Sequence, residues 1–271
     1  MTFLDWLNVG YFGFNFGMAD NWNDTYLAIA AISCAIISYL LGSINFGVIL
    51  SKEKYGRDIR EQGSGNAGAT NMLRTYGKKA AILTFSGDVL KSAVASIVGR
   101  LFLGYLGAFV AGVFCIVGHA YPVFFKFKGG KGVVAISTMC LLTNPGVFLI
   151  MLLIFIIVLV GFKMVSLASI MIMVIYPFVL YNVGYMGPGL HVAIGALACV
   201  FIIYLHRGNI VRIYTHKESK ISFGKKKKDI SFSEIKKTSV ETCKGCGADV
   251  TILNGVGECE YCHKKIYKKG E

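Results

Sequence analysis

Seven apolar runs divide this chain, and they leave little room for any fold but a bundle of membrane-spanning helices. They cover residues 26–50, 80–102, 105–125, 133–142, 146–162, 166–183 and 191–205. Crossing the hydrocarbon core of a bilayer takes about 20 apolar residues in a helix, and several runs meet that length. The fourth is short unless it begins within the glycine-rich loop before it or tilts. With 55% of residues hydrophobic and only 16% charged, the chain is too apolar for a soluble domain. The predicted fold is all-α, an integral membrane bundle of seven helices, one of them short, with a small zinc-ribbon tail.

The formal net charge is nevertheless +13, so the charge is concentrated. Residues 207–271 hold 15 of the 28 Lys and Arg against 8 of the 15 acids. The loop after the first run carries Lys52, Lys54, Arg57, Arg60, Arg74, Lys78 and Lys79, and the loop after the third carries Lys126, Lys128 and Lys131. The loop after the fifth has Lys163, while the alternate loops hold almost no positive charge. Basic loops stay in the cytosol. Seven spans put all of them, and the tail, on that side. Residues 1–25 contain no Lys or Arg but three Asp, and are expected outside, with no basic start of a secretory signal.

Four parts follow: residues 1–25 outside, a membrane domain over 26–222, a basic linker over 223–240, and a tail over 241–271. The linker's lysine run, 225–228, suits an anionic leaflet. No interleaving of aromatic and basic residues points to nucleic acid as a partner.

Three polar motifs interrupt the apolar pattern. In the first, residues 62–74, Gly63, Gly65 and Gly68 let backbone N–H groups approach an anion closely. Ser64, Asn66, Thr70 and Asn71 add uncharged donors, and Arg74 suits bidentate grip of a phosphate or carboxylate. In the second, Lys128, Gly129, Gly130, Lys131 and Gly132 precede an apolar helix, which makes a phosphate cradle without Walker spacing. In the third, His206 and Asn209 lie three apart and so on one helix face. A His at the membrane edge serves as a base or a phosphate ligand. Ser166 stands near Lys163 and is a further phosphate donor. Asp88 and Lys91, three apart inside the second run, read as a structural pair rather than a catalytic dyad. His119 and Pro122 read as shaping the end of the third run.

The wording and order of LGSINFG, GSGNAGATNMLRTYGKK, GHAYPVFFKFKGGKG, VSLASI and HRGNIVRI, across about residues 27–222, resemble the bacterial acyl-phosphate:glycerol-3-phosphate acyltransferases, the PlsY family. The resemblance implies attack of the glycerol-3-phosphate sn-1 hydroxyl on a long-chain acyl phosphate. The products are lysophosphatidate and phosphate, the first step of phospholipid biosynthesis, in the cell membrane with a cytosolic active site. It gives an essential serine at Ser64, an arginine at Arg74, a phosphate loop at 129–132 with Lys131, and a His/Asn pair at His206 and Asn209. A family glutamate in the third motif corresponds to Glu218. The sequence departs from relatives at Gly208, commonly acidic, and at Asn45, often Pro.

Two readings compete with it. A phosphate or organophosphate transporter needs a path to the outer face, yet the polar motifs share one side. Thioester-using acyltransferases carry an HxxxxD pair, which none of the five histidines here begins. Acyl transfer itself requires no cofactor. Separately, Cys243, Cys246, Cys259 and Cys262 form two CxxC pairs separated by twelve residues, the spacing of a structural tetrathiolate zinc site. So short a tail depends on metal for its folding. The sequence does not specify its partner.

Overall fold

The computed structural model describes residues 24–184, 189–221, 238–243, 249–253, 256–258 and 265–267. The first apolar run does not form one helix. Helix α1 (Asp24–Ser43) stops, and α2 (Phe46–Tyr55) starts anew where the Asn45 side chain accepts from Val48 N–H at 3.2 Å. An Asn at that position satisfies one of the orphan donors of a new helix, so the chain restarts there as a second helix. Gly56 ends α2 with φ 63°, a left-handed turn that suits glycine. A short helix α3 (Ala69–Tyr76) follows.

The next element, α4 (Lys78–Ala120), runs helically for 43 residues except at Leu103 and Gly104, the latter with φ 59°. The chain doubles back there. Gly99 faces Gly107 so closely that a Cβ on Gly99 would stand 2.2 Å from the Gly107 carbonyl oxygen. Further along, the Cys115 thiol donates to Ser92 Oγ at 3.7 Å, and Lys91 meets His119. The arms 78–102 and 105–120 are therefore antiparallel partners packed backbone to backbone, as small residues allow in lipid. Helix α1 packs on the second arm in the same way: Gly118 lies against the Tyr39 carbonyl and Gly42 against Cys115.

Helix α5 (Val133–Thr143) has only 11 residues and ends at Asn144, after which Pro145 opens α6 (Pro145–Phe162). Within α6 only Val147 and Met151 are buried, so one face meets the bundle and the rest of the helix is outward-facing and apolar. Helix α7 (Val165–Val183) carries Pro177 inside it. Helices α8 (Leu190–Leu205) and α9 (Arg207–Tyr214) meet at His206 with a 57° bend.

Among the described residues four helical stretches are long and apolar enough to cross a membrane, and the bent pair makes a fifth. The sequence expectation of seven spans differs at two points. The second and third runs form the two antiparallel arms of α4, joined at Leu103 and Gly104 without an intervening loop, and 133–142 becomes a helix too short to cross by itself. The core runs through Phe109, Ile116, Ile136, Met139, Leu180 and Ile202. The membrane part is all-α, as expected.

The tail forms an antiparallel meander of β1 (Thr238–Thr242), β2 (Asp249–Leu253), β3 (Val256–Glu258) and β4 (Lys265–Tyr267) in sequence order. Cys243, directly after β1, is buried. Cys246, Cys259 and Cys262 lie outside the described residues, as do the segment 1–23 and most of the linker.

Candidate active site

The first motif folds around one amide. Asn71 is buried; its Oδ1 accepts from Ser64 N–H at 2.9 Å, and its Nδ2 donates to the carbonyls of Ile59, Gln62 and Asn66 at 3.2, 2.9 and 2.8 Å. Gly63 and Gly65 adopt φ 59° and 72°, which turns the loop around this hub. The amide is engaged on both sides, which makes Asn71 the hub that shapes the loop, and the residue also borders the cavity described below. Asn66 accepts from Gly68 N–H at 2.9 Å, and Ser64 remains exposed at the rim. Thr70 and Arg74, four apart on α3, share one face.

Arg60, not singled out in the sequence, clamps this loop to the second motif. It donates to the Phe125 and Lys128 carbonyls at 2.6 and 2.8 Å and pairs with Asp58 at 2.6 Å. The hydrogen bonds from Arg60 hold the Asp58 carboxyl down at about 2.

In the second motif Gly129 and Gly130 donate to the carbonyls of Ala120 and His119, both at 3.0 Å, fastening the loop to the end of α4. A Cβ on Gly129 would stand 2.0 Å from the His119 carbonyl oxygen, and one on Gly130 2.0 Å from His119 Nε2. These two glycines permit close packing rather than line the site, contrary to the expectation that they contact phosphate. Gly132, with φ 78°, turns the chain into α5 and leaves Lys131 facing inward.

The third motif meets the second through Lys131, whose ammonium donates to Asn209 Oδ1. Asn209 Nδ2 donates to Glu218 Oε1 at 2.8 Å, Ser166 Oγ donates to the same oxygen at 2.8 Å, and Arg212 pairs with Oε2 at 2.8 Å. The Ser166 hydroxyl proton, expected to serve a phosphate, is engaged by Glu218. Burial raises the Glu218 carboxyl, but the bonds from Ser166, Arg212 and Asn209 outweigh it and leave the group below the usual range. Burial, with Arg212 and Arg74 nearby, lowers Lys131 to about 8. His206 is buried at the α8–α9 bend with Nδ1 2.8 Å from the Ile202 carbonyl. A carbonyl only accepts, so Nδ1 carries the proton and Nε2 keeps its lone pair.

These groups close one end of a cavity of about 840 Å³. Its polar end includes Gly63, Ser64, Asn66, Thr70, Arg74, Lys131, Gly132, Ser166, His206, Asn209 and Glu218. Its other end is apolar, with Phe148, Met151, Phe155, Ile172, Met173 and Tyr176. Gly65 borders an adjoining polar recess with Lys131, Arg207 and Arg212. Asp88 and His119 also border the main cavity, although the sequence assigns them structural roles. Asp88 does pair with Lys91 at 2.8 Å, as expected.

Comparison with known proteins agrees with this geometry. A family model described as "Glycerol-3-phosphate acyltransferase" matches residues 32–216. The glycerol-3-phosphate acyltransferase of Exiguobacterium sibiricum is 43% identical over 203 residues, 74% of this chain and 98% of that one. That of Bacillus subtilis is 40% identical over 191 residues, 69% and 96%. A crystal structure of PlsY (YgiH), an integral membrane glycerol 3-phosphate acyltransferase in its glycerol 3-phosphate form, superposes with TM-score 0.66. It is 36% identical and covers 71% of this chain and 96% of that one. The lysophosphatidic acid form gives 0.63 at 34% identity, covering 71% and 95%. None of these relatives supports the transporter alternative. The family model's match ends at residue 216, before the tail. The chain, a multi-pass membrane protein, belongs to the glycerol-3-phosphate acyltransferase family.

Proposed function

We propose that the acyl donor is acyl phosphate and that Ser64, Arg74, Lys131, His206 and Asn209 carry the transfer. The observation behind this reading is the cavity's division: cations and neutral donors gather at one end and hydrocarbon lines the other. An acyl phosphate has that same division. Glycerol-3-phosphate brings a second anion to the polar end, and Arg74, Lys131 and Arg212 offset the mutual repulsion. The acceptor hydroxyl sits within about 3–3.5 Å of the carbonyl carbon in a reactive pose. His206 Nε2, with its lone pair available, accepts the hydroxyl proton. The new ester C–O bond forms, the carbon–phosphate-oxygen bond breaks, and the proton leaves with phosphate. Glu218 holds Ser166, Asn209 and Arg212 in register.

The purified protein, supplied with glycerol-3-phosphate and either acyl phosphate or acyl-CoA, should release phosphate and lysophosphatidate only with the former. Lysophosphatidate from acyl-CoA alone overturns the donor assignment. Counting each arm of α4 and the short α5 as separate passes restores seven. With seven passes, the basic loops around 52–79 and 126–131 and the basic tail share one side, which supports a polar end and a C-terminus in the cytosol. Impermeant labelling of a cysteine at position 131 from outside intact cells would contradict this orientation.

The tail is proposed to hold one zinc ion through Cys243, Cys246, Cys259 and Cys262. The specific support is strand order. In the β1–β2–β3–β4 meander the β1–β2 and β3–β4 connections emerge at the same end of the sheet, and these connections carry the two CxxC pairs. Four thiolates make a closed structural site with no position for substrate. Metal analysis of the full chain should find one zinc per chain, lost in Cys259→Ser.

A further inference from the structure

His119 stands in the last turn of α4, with its ring buried and its edge on the cavity. Four groups surround the Lys91 ammonium: Asp88 Oδ1 at 2.8 Å, the Ile44 carbonyl at 2.7 Å, the Gly42 carbonyl at 3.1 Å and His119 Nδ1 at 2.9 Å. An ammonium has protons to give and no lone pair. With the Asp88 carboxylate beside it to balance its charge, Lys91 donates, and Nδ1 must accept. The imidazole proton therefore sits on Nε2. Among the described residues that atom has no hydrogen-bond partner; it lies beside Gly130, on a ring that borders the cavity. Gly130 leaves room for the ring at this place, since a side chain there would collide with Nε2. Here the lining changes from Lys131 and Gly132 to Val133 and Ile136. An acyl donor changes at the same height from polar leaving group to hydrocarbon, and the atom at that junction is its carbonyl.

We propose that His119 is a catalytic residue that donates the Nε2 hydrogen bond to the acyl carbonyl oxygen and stabilises the oxyanion formed as the glycerol-3-phosphate hydroxyl adds. The hydroxyl oxygen bonds to the carbonyl carbon, and that carbon's bond to the leaving oxygen breaks with its electron pair. The hydroxyl proton passes through His206 to the leaving group, while His119 keeps its own proton throughout. Lys91 and Asp88 act through His119 by holding this tautomer. The inference rests on acyl transfer but not on the leaving group, because every acyl donor presents a carbonyl. Failure with acyl phosphate alone therefore bears on the donor, not on His119.

Two substitutions separate the ring's two nitrogens, assayed with whichever donor the unaltered protein uses. In His119→Asn the amide oxygen replaces Nδ1 as acceptor for Lys91, but nothing replaces Nε2–H. In His119→Gln the amide nitrogen replaces Nε2–H, but the bond to Lys91 is lost. We expect Asn to lower kcat about 10²–10³-fold, the usual effect of removing one oxyanion donor. KM for glycerol-3-phosphate and thermal stability should stay near the unaltered values. Gln should keep kcat within about tenfold while melting lower. A purely structural His119 gives the reverse order, with Asn near normal and Gln impaired, and that result overturns the proposal. So does an Asn variant that changes only KM for glycerol-3-phosphate. Nitrogen NMR of isotope-labelled histidine in the unaltered protein is independent of variant folding. It should show His119 protonated at Nε2 with a shift on adding lysophosphatidate; protonation at Nδ1 refutes the assignment.

Discussion

Lys131 donates to Asn209 Oδ1 across 78 residues of sequence, so the second and third motifs form one surface before any substrate arrives. The same amide passes the contact on to Glu218 at 2.8 Å. The cation proposed to bind substrate is thereby tied to the Glu218 carboxylate on the same cavity wall. Three consequences concern the membrane domain and one the tail.

The depressed Lys131 makes the free enzyme sensitive to alkali. Its charged form is lost as pH rises through about 8, so kcat/KM for glycerol-3-phosphate should fall about tenfold per pH unit above that point. Below it the lysine is charged and this limb is flat. Lys131→Arg keeps its charge at any practical pH and should move the alkaline limb upward, whatever its effect on the plateau. A profile unchanged by that substitution sinks the assignment.

Ser64→Ala and Asn71→Ala should fail differently, although both lie in the first motif. The Ser64 side chain is exposed at the rim, and its loss should lower kcat about 10²-fold with little change in melting temperature. Loss of the Asn71 amide strands the Ser64 N–H and three carbonyls. Each unsatisfied buried group costs roughly 1–3 kcal/mol, so Asn71→Ala should melt well below the unaltered protein. Thermal unfolding in detergent compares the two directly.

Gly130→Ala should damage folding as well as substrate affinity, since its Cβ meets the His119 ring at 2.0 Å. Overpacking of this kind costs typically about 1–3 kcal/mol. Gly146→Ala, where nothing lies within 4 Å of the new Cβ, is the control and should be silent. Melting curves and KM measured side by side distinguish a crowded loop from a lost phosphate contact.

Deleting residues 241–271 should remove zinc and leave most of kcat on glycerol-3-phosphate. All the cavity residues precede Ile221, whose N–H is fastened to the Lys163 carbonyl at 2.7 Å. A truncated protein that folds but no longer turns over would make the tail part of the working site.

The chemistry of the site was legible because it depends on residue types. Glycines beside a hydroxyl, a lone Arg in a polar loop and His three before Asn stand out against lipid-facing sequence. The turn between the arms of α4 was legible too, since the apolar pattern lapses around Gly104. What escaped was how each polar atom spends its hydrogen bonds. Asn71 and Ser166 look like ligands until their partners are known, and Arg60 looks like one more basic loop residue. His119 reads as a helix-end residue because its role comes from Lys91, 28 positions away. The break at Asn45 was hidden for another reason: a single polar residue inside an apolar run is normal in a buried helix.

The brevity of α5 bears on how the substrate is counted. Eleven residues rise only about 16 Å, roughly half of the ~30 Å hydrocarbon thickness, and the cavity lies beside this half-height helix. A donor dissolved in the leaflet can then enter sideways with its chain still among lipid tails. The quantity that governs saturation is its density per area of membrane rather than its amount per volume of cell. Diluting the enzyme with extra bilayer should slow the reaction even when the total donor is unchanged, whereas diluting the vesicles with buffer should not.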